Sequence, residues 1–171
     1  MGPDDVLKAI ARANRSARSL GAVSGKAITP RYVADTLRPG DTILNFGAGK
    51  PNPHTGLYDH SELLRKAGGN VWEYDFGGNT VGPDALAKQY DTVMASNVLN
   101  TQSDIDMLLK TLEQIRGATG RRAVFNFPSA PRYFDGRADD VMDAARQVFD
   151  ANPMRVGGTR QAPLIEVLMR R

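Results

Sequence analysis

Residues 41–50 read DTILNFGAGK. The apolar run 42–46 is too short for an ordinary helix and closes on Gly47 and Gly49, the pattern of a buried strand that ends in a turn. Glycines at a strand end let the backbone approach a ligand and take φ values that other residues resist. Working outward, further short apolar runs at 71–75, 91–96, 122–127 and 164–169 read as strands. Helical patterns fill the gaps between them. Residues 59–62 have the form of a capping box opening a helix through Lys66, and 83–89 is a short helix. Ser103 caps a helix over 103–117 that places Ile105, Leu108, Leu109, Leu112 and Ile115 on one face. Residues 135–151 form another, with Val141, Ala144, Ala145 and Val148 inward. Upstream, Pro3, Asp4 and Asp5 open a helix that fades near Gly21, and a short helix follows Pro30 over 31–37. Alternating strands and helices predict a doubly wound α/β fold: a mostly parallel sheet of about five to six strands, helices on both faces, and right-handed crossovers. The expected organisation is one domain over 1–171, with a basic helical segment at 1–40 and an α/β core at 41–171.

Composition narrows the chemistry. The chain has 171 residues, no cysteine and two histidines, His54 and His60. Disulfides, thiolate metal sites and cysteine nucleophiles are excluded, and no metal site is expected. The net charge is +3. Lys8, Arg12, Arg15, Arg18, Lys26, Arg31 and Arg38 outnumber Asp4, Asp5 and Asp35 in the first 40 residues. This segment reads either as a solvated helix face or as an arm that meets the phosphate backbone of a nucleic acid. The first residues do not read as an apolar signal segment after a basic start, and no apolar run approaches the ~20 residues that span a bilayer, so a soluble, cytoplasmic protein is expected.

In an open α/β sheet, ligands bind beyond the carboxyl ends of the strands, where the strand order reverses. Asp75 ends the second strand, where a carboxylate can accept hydrogen bonds from both hydroxyls of a ribose. Ser96 and Asn97 end the third. Neither 47–51 nor 21–27 has the spacing of a phosphate-binding P-loop. A dinucleotide fingerprint needs a third glycine where Asn52 stands, which argues against a pyrophosphate and a nicotinamide reductase. A ligand with a nucleoside but no phosphate fits better.

Three stretches, DTILNFGAGK at 41–50, VWEYDF at 71–76 and YDTVMASNVLN at 90–100, occur in an order that resembles the class I S-adenosylmethionine-dependent methyltransferases, a Rossmann-like family. The resemblance spans about residues 30–130 and implies S-adenosylmethionine as cofactor and methyl transfer as activity; the acceptor is not read from the sequence, and the basic N-terminal segment favours a nucleic acid among acceptors. It implies that Gly47 and Gly49 pass under the methionine part, with Asn45, Phe46 and Ala48 around them. Asp75 would bind the ribose hydroxyls and Phe76 would lie on the adenine. Ser96 and Asn97 would sit near the methionine end. Two departures stand out: Asn45 occupies a position usually acidic, and the stretch 75–91 is too short for the family's third strand and its helix. They motivate an alternative, a scaffold or regulatory protein that binds the cofactor or another adenosine ligand without transferring a methyl group. A base, if the acceptor needs one, would come from His54, Tyr58, His60, Tyr133 or Asp135. Trp72 reads as core, Asn126 as a strand terminator although 126–129 faintly resembles the Asn-Pro-Pro-aromatic motif of amino-methylating DNA enzymes, and 131–133 as a surface turn.

Overall fold

Every strand of the sheet except the two edge strands is buried on both faces, which is why the strands read as continuous apolar runs and not as alternating ones. The computed structural model describes residues 27–76, 81–99, 102, 104–127 and 136–170. Within these, the chain runs α1 (Ile28–Thr36), β1 (Thr42–Phe46), α2 (Asp59–Lys66), β2 (Asn70–Tyr74), a 3-10 turn (Ala85–Ala87), β3 (Tyr90–Ala95), α3 (Ile105–Ala118), β4 (Thr119–Asn126), α4 (Ala138–Phe149), β5 (Met154–Gly158) and β6 (Pro163–Leu168). The expected N-terminal helix over 4–21, the turn at 131–133, Tyr133 and Asp135 lie outside the described residues.

The sheet has six strands in the order β2-β1-β3-β4-β6-β5. The first four pair in parallel, while β6 is antiparallel to both β4 and β5. Strand order reverses at β1, so the crevice expected from topology lies where β1 and β3 diverge, with β2 alongside. The doubly wound, mostly parallel sheet expected from the sequence is what forms. The strand β5 was not anticipated, because MRVGG has neither an apolar run nor clean alternation. It is secured by the turn back into β6: Gly158 has φ +72°, and a Cβ there would run into the backbone of Ala162 and Leu164.

Among the described residues, two helices cover each face. Residues alternate along each strand, so neighbours serve opposite faces. Ile43, Met94, Val124 and Leu164 pack with Val33 of α1 and Leu64 of α2. Leu44, Val93, Ala95, Phe125 and Ile165 pack with Leu108, Leu112 and Ile115 of α3 and Val141, Ala145 and Phe149 of α4.

Local expectations shift in three places. Tyr58 is the N-cap of α2 and makes no side-chain cap, so the capping box expected at 59–62 does not form; Asp59 instead accepts from the Asn52 amide at 3.3 Å. The cap of α3 is Asp104, which accepts from the Met107 N–H at 2.9 Å. Trp72 is not core. It is 38% exposed on edge strand β2, with its ring 5.7 Å from Tyr90 and the Lys88 ammonium 4.0 Å above it.

Candidate active site

The turn after β1 is built around the next strand's end. The N–H groups of Gly47 and Ala48 both donate to the Tyr74 carbonyl, at 2.8 and 2.9 Å. Gly49 then donates its N–H to Asp75 Oδ2 at 2.8 Å. The other carboxylate oxygen accepts from the Phe76 N–H at 2.8 Å. The glycine turn and the carboxylate therefore converge on one another. Each carboxylate oxygen keeps lone-pair capacity beyond these bonds.

Asp75 is buried. Burial pushes its pKa above the usual carboxylate range, and the N–H bonds from Phe76 and Gly49 offset part of that rise. Desolvation disfavours the charged form until a ligand supplies further donors.

The same turn meets the end of β3. Gly47 has φ +73°, and a Cβ on it would stand 2.5 Å from a methyl of Val98. A glycine is thus needed here for a reason internal to the protein: it lets 96–98 approach the β1 turn. Ser96 is buried, and its Oγ has no hydrogen-bond partner among the described residues. Asn97 follows in a left-handed conformation, φ +57°, which costs a non-glycine residue energy unless the surroundings hold it.

The remaining residues anticipated for the site divide. Asn45 is buried and its amide donates to Ser61 Oγ at 3.1 Å, tying β1 to α2. The Phe46 ring packs 5.2 Å from Tyr74 within the apolar core, so only its backbone borders the turn. Phe76 is 40% exposed at the mouth. Of the candidate bases, His54 is exposed and its N–H is held by Asn52 at 2.9 Å, while His60 is buried in the first turn of α2. Burial, with Glu73 and Asp75 nearby, raises the Tyr58 hydroxyl above its usual range. It stays protonated near neutral pH and is suited to donate a hydrogen bond, not to take a proton.

Sequence reasoning treated Asn126 as the end of a strand and missed its role. It sits at the carboxyl end of β4, where its side chain bonds Asn97 and Thr29. No local pattern announces a contact between residues 97 positions apart. Beyond β4 a cavity of about 680 Å³ opens between Phe127, the start of α4 at Arg137, and Arg160 in the β5–β6 turn. Among the described residues no group of three or more potential ligands could hold a metal ion, and no helix is long and apolar enough to cross a membrane.

Several solved structures that this chain resembles in fold are methyltransferases. Magnesium protoporphyrin IX methyltransferase from Synechocystis PCC 6803, with bound S-adenosylmethionine, matches at a TM-score of 0.61 and 19% identity, over 84% of this chain and 76% of its own. A sugar N-methyltransferase from Streptoalloteichus sp ATCC 53650 matches at 0.60 and 12% identity, over 90% and 89% of the two chains. An N-methyltransferase from Bradyrhizobium japonicum WM9, in complex with S-adenosylhomocysteine, matches at 0.55 and 11%, over 96% and 100%. No family model and no curated protein matches the sequence. The chain has the fold of the class I S-adenosylmethionine-dependent methyltransferases, as the three sequence stretches imply.

Proposed function

We propose that this protein binds S-adenosylmethionine across the carboxyl ends of β1, β2 and β3 and transfers its methyl group to an acceptor. The observation that carries this reading is the bond from the Gly49 N–H to Asp75: the glycine turn and a buried carboxylate meet at the carboxyl ends of β1 and β2. Solved neighbours of this fold with the cofactor or its demethylated product bound support it.

The residues fit the ligand chemically. Asp75 has acceptor capacity left for the two ribose hydroxyls, and such bonds to a charged acceptor favour the ionised form that burial disfavours. Phe76 offers an exposed ring for the adenine. The unpartnered Ser96 hydroxyl and the amide of Asn97 stand at the β3 end, suited to the amino-acid portion. The bound cofactor would supply an electrophilic methyl group; the protein's own work is to align donor and acceptor and to exclude water. No described side chain is placed as a base. The cavity beyond Phe127 opens on the same strand-end side and is the proposed acceptor entrance. Two of the solved neighbours differ in acceptor, one being a magnesium protoporphyrin IX methyltransferase and the other a sugar N-methyltransferase.

Calorimetry with S-adenosylmethionine, S-adenosylhomocysteine and NAD tests the cofactor. Micromolar binding of the first two and none of NAD is expected; binding of NAD alone overturns the assignment. Methyl transfer from labelled cofactor into an extract then separates an enzyme from a protein that binds without reacting.

A further inference from the structure

The end of β3 is held by a side chain from the end of β4, and that side chain is held by the first described helix. Asn126 Oδ1 accepts two bonds, from the Asn97 backbone N–H at 2.8 Å and from the Thr29 hydroxyl at 2.7 Å. Its Nδ2 donates to Asn97 Oδ1 at 2.7 Å. Thr29 is fully buried and Asn126 nearly so.

The orientation of both amides follows from this pattern. A backbone N–H can only donate, so the Asn126 atom facing it has to be the oxygen. Asn126 Nδ2 then faces the Asn97 side chain, whose near atom has to be an acceptor. The Asn97 Oδ1 is thereby engaged, and its Nδ2 remains with no partner among the described residues. Next to it in the chain is the buried, unpartnered Ser96 hydroxyl. Two donors thus sit unspent beside the Gly47 turn that Val98 contacts. The Asn97 Nδ2 can only donate and so matches an anionic oxygen and not an ammonium group; the Ser96 hydroxyl can donate to the same oxygen.

We infer that Asn126 and Thr29 are positioning residues: they lock Asn97 in its left-handed conformation so that its amide N–H meets the carboxylate of the cofactor's amino-acid end. The inference rests on the cofactor reading above. It extends the site to β4 and α1.

Binding of S-adenosylmethionine is compared with binding of 5′-methylthioadenosine, which keeps the nucleoside and lacks the amino acid. N126A is expected to weaken S-adenosylmethionine by ~10-fold, the scale of one lost hydrogen bond to a charged group, and to leave 5′-methylthioadenosine within about twofold. T29V, a milder change should N126A fold poorly, is expected to weaken S-adenosylmethionine by about threefold, with T29S restoring it. The double variant N97A/N126A should bind no worse than N97A, because both changes remove one connection. Equal losses for the two ligands would reduce Asn126 to a structural part and overturn the inference; so would unchanged affinity in N126A or T29V, or additive losses in the double variant. A wild-type protein that binds neither ligand overturns the cofactor reading itself, and that result is distinct from the others.

Discussion

The two faces of the sheet solve the same burial problem with different chemistry. The face under α3 and α4 is apolar throughout, from Leu44 and Val93 to Phe149 and Ile165. The face under α1 and α2 mixes a smaller apolar cluster with buried polar groups. There Arg122 reaches Thr92 Oγ1 at 3.0 Å, Thr36 Oγ1 at 2.8 Å and Glu166 Oε2 at 2.9 Å, and Tyr32 donates to Glu166 at 3.2 Å. Asn45 with Ser61, and Asn126 with Thr29, continue the pattern toward the strand ends. The apolar face can be satisfied by any side chains of suitable volume. The polar face requires particular partners, because an unpaired buried polar group costs what its lost hydration was worth. The residues proposed for the cofactor site gather on the side where geometry is fixed by named bonds.

The comparison is broken most severely at Arg122. Arg122→Met would leave the Glu166 carboxylate buried without its cation, and urea denaturation should show a loss of about 3–5 kcal/mol. Arg122→Met with Glu166→Leu should recover most of it, since an apolar pair of similar volume often replaces a buried ion pair at little cost. If the double variant stays as unstable as the single, the pair does more than satisfy itself.

On the apolar face, Leu112→Ala should cost about 3 kcal/mol by loss of buried volume, measured the same way, and leave affinity for S-adenosylmethionine unchanged. A fall in affinity would show that the two faces are coupled.

Asp75→Asn sharpens the comparison at the site. Affinity for S-adenosylmethionine should fall ~10–100-fold, about 1.5–3 kcal/mol, because the ribose loses a charged acceptor. Stability responds to pH as well. The folded pKa of Asp75 is raised, so its contribution to stability is present at low pH and is lost as pH rises through that pKa. The variant escapes that pH-dependent loss, but its NH2 group has to face the N–H of Gly49 or of Phe76, so its stability should be flat across this pH range and no greater than that of the wild type with Asp75 protonated. Cofactor affinity of the wild type should weaken as pH falls through the same range, since the carboxylate then carries a proton. Calorimetry across pH on both proteins checks both signs.

The smallest effect is expected at Thr29→Val, which removes one buried hydroxyl while keeping shape: about 1 kcal/mol in urea denaturation. A larger loss would place more of the fold's stability in the polar face than its bonds imply.

The sequence by itself determined the strands that become buried on both faces, their alternation with helices, and the two strand ends that carry Gly47, Gly49 and Asp75. These are legible because apolar runs, periodicity and glycines act over a few neighbouring residues. Only the tertiary structure decided that β6 returns antiparallel between β4 and β5, that Trp72 lies on an open edge, and that Asn126 binds Asn97 and Thr29. A side-chain hydrogen bond depends on where two distant backbones meet, and nothing in the local pattern around Thr29, Asn97 or Asn126 records that meeting.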